Sequence, residues 1–203
     1  MIIFKKQTTF LGLFFALTLM QGCASLLPAP SPAPKLLNID TPHANSGIIS
    51  NKVLAIEEPT APVLYDSTHI LVQKQTDTGL KHFAFVEEAQ WVDRLPKILQ
   101  RSLFSHLKSS SFPNVTMDSK SISNGYALQS DLHKFHIRSP GFVEVEINVS
   151  ILKVETNTVL KTHTFTYALE SDHSMASYVK AFEALTKKWV EDCTNLLVPY
   201  ISS

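Results

Sequence analysis

The sequence predicts an α+β fold: a two-layer sandwich in which a mostly antiparallel sheet carries two main helices on one face. Three observations predict it. Val143, Val145, Ile147, Val149 and Ile151 alternate with Glu144, Glu146, Asn148 and Ser150, which is the pattern of a strand with one buried face and one polar face. Apolar residues recur at spacings of three and four from Trp91 to Leu107, and again from Tyr178 to Leu197, as amphipathic helices require. The order of elements is strands, helix, strand pair or triplet, helix, with no internal repeat.

Three regions precede and make up this domain. Lys5 and Lys6 lead an apolar segment that ends at Met20-Gln21-Gly22-Cys23, so residues 1–22 read as a secretory signal peptide. The apolar run is shorter than the roughly 20 residues that span a bilayer core. The run before Cys23 resembles a bacterial lipobox, with Gly22 in its usual place and Met20 where Leu is common, so Cys23 is the expected site of lipid attachment. Residues 23–50 read as a lipid-attached, Pro-rich tether. Pro28, Pro30, Pro32 and Pro34 alternate with small residues, remove backbone donors and favour extended chain. Leu36, Leu37 and Ile39 are apolar enough to dock locally. Residues 51–203 are the expected periplasmic domain.

Within that domain, Lys52–Ile56, His69–Gln73 and Leu80–Phe85 read as the first strands, the last two joined through the turn residues Asp77-Thr78-Gly79. The first helix is expected from about Arg94 to Lys108, with Asp93 as N-cap. Pro96 then falls in the first turn, where the missing N–H has no intrahelical partner anyway. Tyr126–Arg138 alternates with a slip of phase: Tyr126, Leu128 and Leu132 share one face, Phe135 and Ile137 the other. A bulge or a change of covering layer near His133 would account for it. Asn157 centres a tight turn and Val159–Leu169 returns as the hairpin partner. Ser174 or Asp172 caps the last helix, and Pro199 is expected to stop it.

Composition excludes some functions. The chain has 203 residues with 18 basic and 18 acidic side chains; without residues 1–22 the basic count drops by the two lysines, leaving 16 against 18. Such a balance gives no electrostatic reason for a nucleic-acid partner. With Cys23 acylated, Cys193 is the other of the two cysteines, so no internal disulfide forms. Its place on the apolar stripe of the last helix makes it a buried, inert thiol. No Gly-rich phosphate loop, no Gly-x-Ser-x-Gly and no His-Glu-x-x-His occurs. His133 and His136 are three apart, which on a regular strand puts them on opposite faces. Glu87/Glu88 and Glu144/Glu146 are the paired carboxylates; the second pair is explained by the polar face of its strand. Trp91 and Trp189 lie on helical stripes, as core anchors do. No catalytic residue, cofactor or metal is assigned, and the chain reads as a non-enzyme.

From Phe85 to Leu99, with Trp91 leading into Leu95, Ile98 and Leu99, the chain resembles the ABC-type transport auxiliary lipoproteins of the PqiC/YmbA type. Pro62–Asp66 leading into His69–Val72 resembles that family too, as does Tyr126–Phe135 with the hairpin and helix that follow. The chain departs from it at its start, where a Pro-rich tract replaces a short Tyr-Leu opening. The resemblance implies a non-catalytic, periplasm-facing accessory of an MCE-type ABC transport system that moves lipids between inner and outer membranes. It implies an MCE-domain protein as partner and, through acylated Cys23, the outer-membrane bilayer; Ala24 after the cysteine agrees with outer-membrane sorting. Copy number stays open, a homo-oligomer included. The competing readings are an envelope assembly lipoprotein serving peptidoglycan or lipopolysaccharide machinery, and a domain that carries lipid in a cavity of its own.

Overall fold

A computed structural model describes residues 32–40, 52–109 and 114–201. Cys23 and the signal peptide lie outside the described residues. The chain divides into a leading unit, Met1–Ala33, and the unit Pro34–Ser203, which holds every element below. Its strands are β1 (Lys35–Leu37), β2 (Leu54–Ile56), β3 (His69–Gln75), β4 (Lys81–Trp91), β5 (Val115–Thr116), β6 (Tyr126–Arg138), β7 (Phe142–Lys153) and β8 (Thr158–Glu170); its helices are α1 (Leu95–Ser109) and α2 (Met175–Ile201). The fold is α+β, with one mixed and mostly antiparallel sheet.

β6 is the sheet's spine. One edge pairs along nearly its whole length with β7, which pairs in turn with β8, all antiparallel. The other edge is divided. Tyr126–Leu128 pair in parallel with β2, while Ile137 and Arg138 pair in parallel with β3. β3 forms an antiparallel hairpin with β4, and β1 adds in parallel to Ala89–Trp91 at the far end of β4. The β6–β7 register shifts between Leu132 and Lys134, which places the bulge at His133. The bulge resets the phase, so Leu128, Leu132, Phe135 and Ile137 are all buried opposite Ile151, Ile147, Val145 and Val143.

The helices cover the face that carries this apolar set. α2 buries Phe182, Leu185, Trp189, Cys193 and Leu197, and α1 buries Leu95, Ile98, Leu99, Leu103 and Leu107. Trp91 on β4, Phe135 on β6 and Phe182 on α2 meet in an aromatic cluster. Phe135 and Phe182 stack with centroids 4.6 Å apart, and Trp91 stands edge-on to Phe182 at 5.3 Å. Ser174 caps α2 by accepting the Ser177 N–H at 3.1 Å, and the Asp172 carboxylate holds Ser174 in turn by accepting its N–H and its hydroxyl. Asn157, at φ 48°, makes the β7–β8 turn.

Four expectations are corrected. Trp91, expected on the stripe of the first helix, is the last residue of β4, and the helix begins only at Leu95, so the indole reaches the core from the sheet. The stretch expected to be tether through residue 50 is folded from Lys35 to Asp40. Pro34 is the last of the alternating prolines, so donors return at Lys35; β1 pairs with β4, Val92 N–H donates to Leu37 O at 2.9 Å, and Ile39 enters the core at 3% exposure. Asp93 is not the residue that opens α1. Arg94 O accepts from Lys97 and Ile98 N–H, while the Asp93 carboxylate accepts the Arg94 N–H at 2.8 Å one position earlier. Pro199 does not stop α2, which continues to Ile201. Pro199 removes one N–H from the last turn, and burial of Leu197 and Ile201 in the core holds that turn helical against it.

Candidate interaction surface

The face of the sheet away from the helices is polar along β6 and β7 and becomes aromatic toward β4. On β7, Glu146 accepts from Lys134 Nζ at 2.6 Å and Glu144 accepts from Arg138 Nε at 2.5 Å, both across the strand pair. These ion pairs account for the Glu144/Glu146 doublet. His136 lies between them with its ring buried, and the segment before β3 crosses over it. Tyr65, itself buried, donates or accepts a 2.9 Å hydrogen bond between its hydroxyl and His136 Nδ1. Phe83 packs edge-on against the same imidazole, with centroids 5.2 Å apart. His136 Nε2 has no hydrogen-bond partner among the described residues; Glu144 Oε2 is 3.6 Å away. Arg94 ties the crossing segment to the start of α1 through Asp66 and Glu58 at 2.5 and 3.0 Å.

Burial decides the charge state of this cluster. It pushes His136 below the ordinary imidazole value, and the Lys134 and Arg138 charges push the same way against Glu144. Burial raises Tyr65 to about 12. For His136 the unfolded chain binds the proton more readily, so this contribution to stability is complete above about 6.5 and is lost as pH falls through the lower, folded value. The expected result is a melting temperature that drops on acidification below about pH 6.5, with a gentler slope in His136→Gln. Equal slopes in the two proteins would remove His136 from the account.

Beyond Phe83 the hairpin β3–β4 projects an exposed apolar row. Leu80 at its tip is 66% exposed and Phe85 is 53% exposed, with His69 against the Phe85 ring at 4.4 Å. Val63, next to the Tyr65 crossing, is 90% exposed. Lys74 and Lys81 flank the tip. At the other end of β4, an open groove of about 630 Å³ is lined by Asn38, Ile39, Asp40, Val92 and Arg101 among others.

The sequence-predicted residues distribute as follows. His133 is exposed at the bulge while His136 is buried, so the two histidines do not converge. Among the described residues no group of three or more His, Cys, Asp or Glu could hold a metal ion, and no helix is long and apolar enough to cross a membrane. Glu87 and Glu88 are exposed on β4. Trp91 and Trp189 are core residues, and Cys193 is fully buried with its thiol pushed up by burial. The Tyr65–His136 contact was missed by sequence reasoning, because 71 residues separate the partners and neither stands in a periodic pattern that points to the other.

The model of the family described as ABC-type transport auxiliary lipoprotein component matches residues 36–192. Comparison with curated proteins gives no match. Two solved structures share the fold. One is the crystal structure of an uncharacterized protein, 15% identical, covering 82% of this chain and 99% of its own, at a TM-score of 0.66. The other is a protein from Xanthomonas campestris of family DUF330, 21% identical, covering 82% of this chain and 94% of its own, at a TM-score of 0.62.

Proposed function

The chain belongs to the ABC-type transport auxiliary lipoprotein component family, and from that premise we propose that it is the non-catalytic, lipid-anchored accessory of an MCE-type system trafficking lipid between inner and outer membranes. The family match carries the reading, because it begins at Leu36 in β1 and runs into α2 as far as Asp192, and so takes in the sheet, the first helix and most of the second. The surface geometry supports it. The carboxylates Glu144 and Glu146 are engaged with Arg138 and Lys134, and the β3–β4 hairpin leaves Leu80 and Phe85 exposed beside Lys74 and Lys81, a mixed surface that suits contact. Cys23 carries the lipid, Ala24 directs the protein to the outer membrane, and the domain faces the periplasm toward an MCE-domain partner.

Crosslinking in intact membranes, followed by capture of the protein and mass spectrometry, tests the partner. The expected result is recovery of an MCE-domain protein, and loss of membrane association when Cys23→Ser is expressed at matched level. Recovery of peptidoglycan or lipopolysaccharide assembly proteins in its place would transfer the protein to the competing class.

A further inference from the structure

We propose that the β3–β4 hairpin, through Leu80 at its tip and Phe85 farther along β4 with Lys74 and Lys81, rests on the anionic lipid surface that holds the anchor. The inference rests on the lipid attachment at Cys23 proposed above and adds a second, non-covalent contact of the folded domain with the same bilayer.

Chain length carries the argument. With β1 beginning at Lys35, only residues 24–34 separate Cys23 from the sheet. Fully extended, that connection reaches about 40 Å, and in the polyproline-like form its prolines favour it spans about 34 Å. β1 pairs in parallel with Ala89–Trp91, and β4 runs from the hairpin tip toward Trp91, so the chain enters β1 from the side on which the tip lies. From Ala89 back to Lys81 is eight residues of strand, or about 26 Å. The connection is therefore long enough for the hairpin tip, about 26 Å from Lys35, to meet the bilayer that holds Cys23.

The chemistry of the tip suits a headgroup boundary. Leu80 and Phe85 are more than half exposed, both with apolar surface to bury. Lys74 and Lys81 flank them, with Asp77 as the acidic residue of the turn. Aromatic and aliphatic side chains enter such an interface while lysines reach the anionic headgroups above it. The anchor holds the tip at high local concentration, so a contact too weak to recruit a free protein suffices.

The test uses the acylated mature protein reconstituted in phosphatidylethanolamine–phosphatidylglycerol vesicles. An environment-sensitive fluorophore is placed at Thr78→Cys in the turn, or at Thr156→Cys in the β7–β8 turn. Both sites are exposed, and the β6 pairings put the second at the opposite end of the sheet. Cys193 is fully buried and stays unlabelled. The expected result is a blue shift and quenching by headgroup nitroxide lipid at position 78 but not at 156, with both lost in Leu80→Asp/Phe85→Asp. Protein that co-floats with vesicles yet gives equal, water-like emission at both sites overturns the hairpin contact and leaves the anchor standing. A shift at 78 that appears only when other envelope proteins are co-reconstituted assigns the tip to a protein partner and also overturns it. Failure of the acyl-labelled preparation to co-float overturns the anchor reading, and the hairpin contact with it.

Discussion

Trp91→Ala is expected to destabilise the domain by about 3–5 kcal/mol. The side chain is 1% exposed and lies where three elements meet: it ends β4, it faces Phe135 on the sheet's spine, and it stands edge-on to Phe182 of α2. Truncation removes the indole's transfer free energy and leaves a void between sheet and helix. The rings beside it already stack on each other and cannot close over the gap without giving up that contact. The Trp91 N–H to Thr68 O bond, at 2.7 Å, belongs to the backbone and survives the change, so the loss reports packing. Arg101→Ala is the companion, an exposed guanidinium on the solvent side of α1 paired with Asp93, and it is expected to cost within about 0.5 kcal/mol. Urea unfolding with the slope compared between variants measures both. A Trp91→Ala loss no larger than that of Arg101→Ala would mean that the aromatic cluster does not join sheet to helix.

How much of this was legible in the sequence follows the range of the interactions. The helices were legible because their partners recur every three or four residues in the same stretch. So was the bulge at His133: Leu132 and Phe135 are both apolar, three apart on one strand, and an inserted residue puts both on the helix-covered face. β1 was not legible. A three-residue strand has too few positions to show a period, and the proline tract just before it argues for extended, unpaired chain. What makes Lys35–Leu37 a strand is the edge of β4, more than fifty residues away in sequence. The divided edge of β6 was hidden for the same reason, since alternation fixes which face is buried and is silent about which strand lies alongside.

The candidate surface was legible only in part. The ionic face of β7 could be read from its alternation, and the pairing of Glu144 and Glu146 with Arg138 and Lys134 gives that face its structural explanation. Tyr65 over His136 could not be read, because it depends on a loop crossing the sheet. The exposed row at Leu80, Phe83 and Phe85 looked like ordinary strand composition. Only the structure, by placing β1 at the base of β4, shows that Leu80 and Phe85 stay more than half exposed while Phe83 turns its ring against His136.

Gly125→Ala is expected to be nearly as damaging as the loss of the tryptophan, through backbone alone. Gly125 has φ 106°, a conformation that L side chains rarely adopt, and holding a substituted residue there costs about 1–3 kcal/mol. Space is the second obstacle. A methyl at this position would meet the Val53 carbonyl oxygen, which already accepts the Tyr126 N–H at 2.9 Å, while Gly125 O accepts from Val154 N–H at 3.0 Å. Gly125 is thus held between the chain entering β2 and the chain leaving β7, and moving either one strips a hydrogen bond from the start of β6. Gly79 provides the contrast. It too has a positive φ, 83°, but its methyl would meet only the end of the Gln75 side chain at 3.7 Å, so Gly79→Ala should cost about 1–2 kcal/mol, the conformational part alone. The difference between the two alanine variants, read from urea unfolding, isolates the contact with Val53. Equal losses would show that the backbone at Val53 yields freely, and that the β2–β6 junction is not the rigid seam this packing implies.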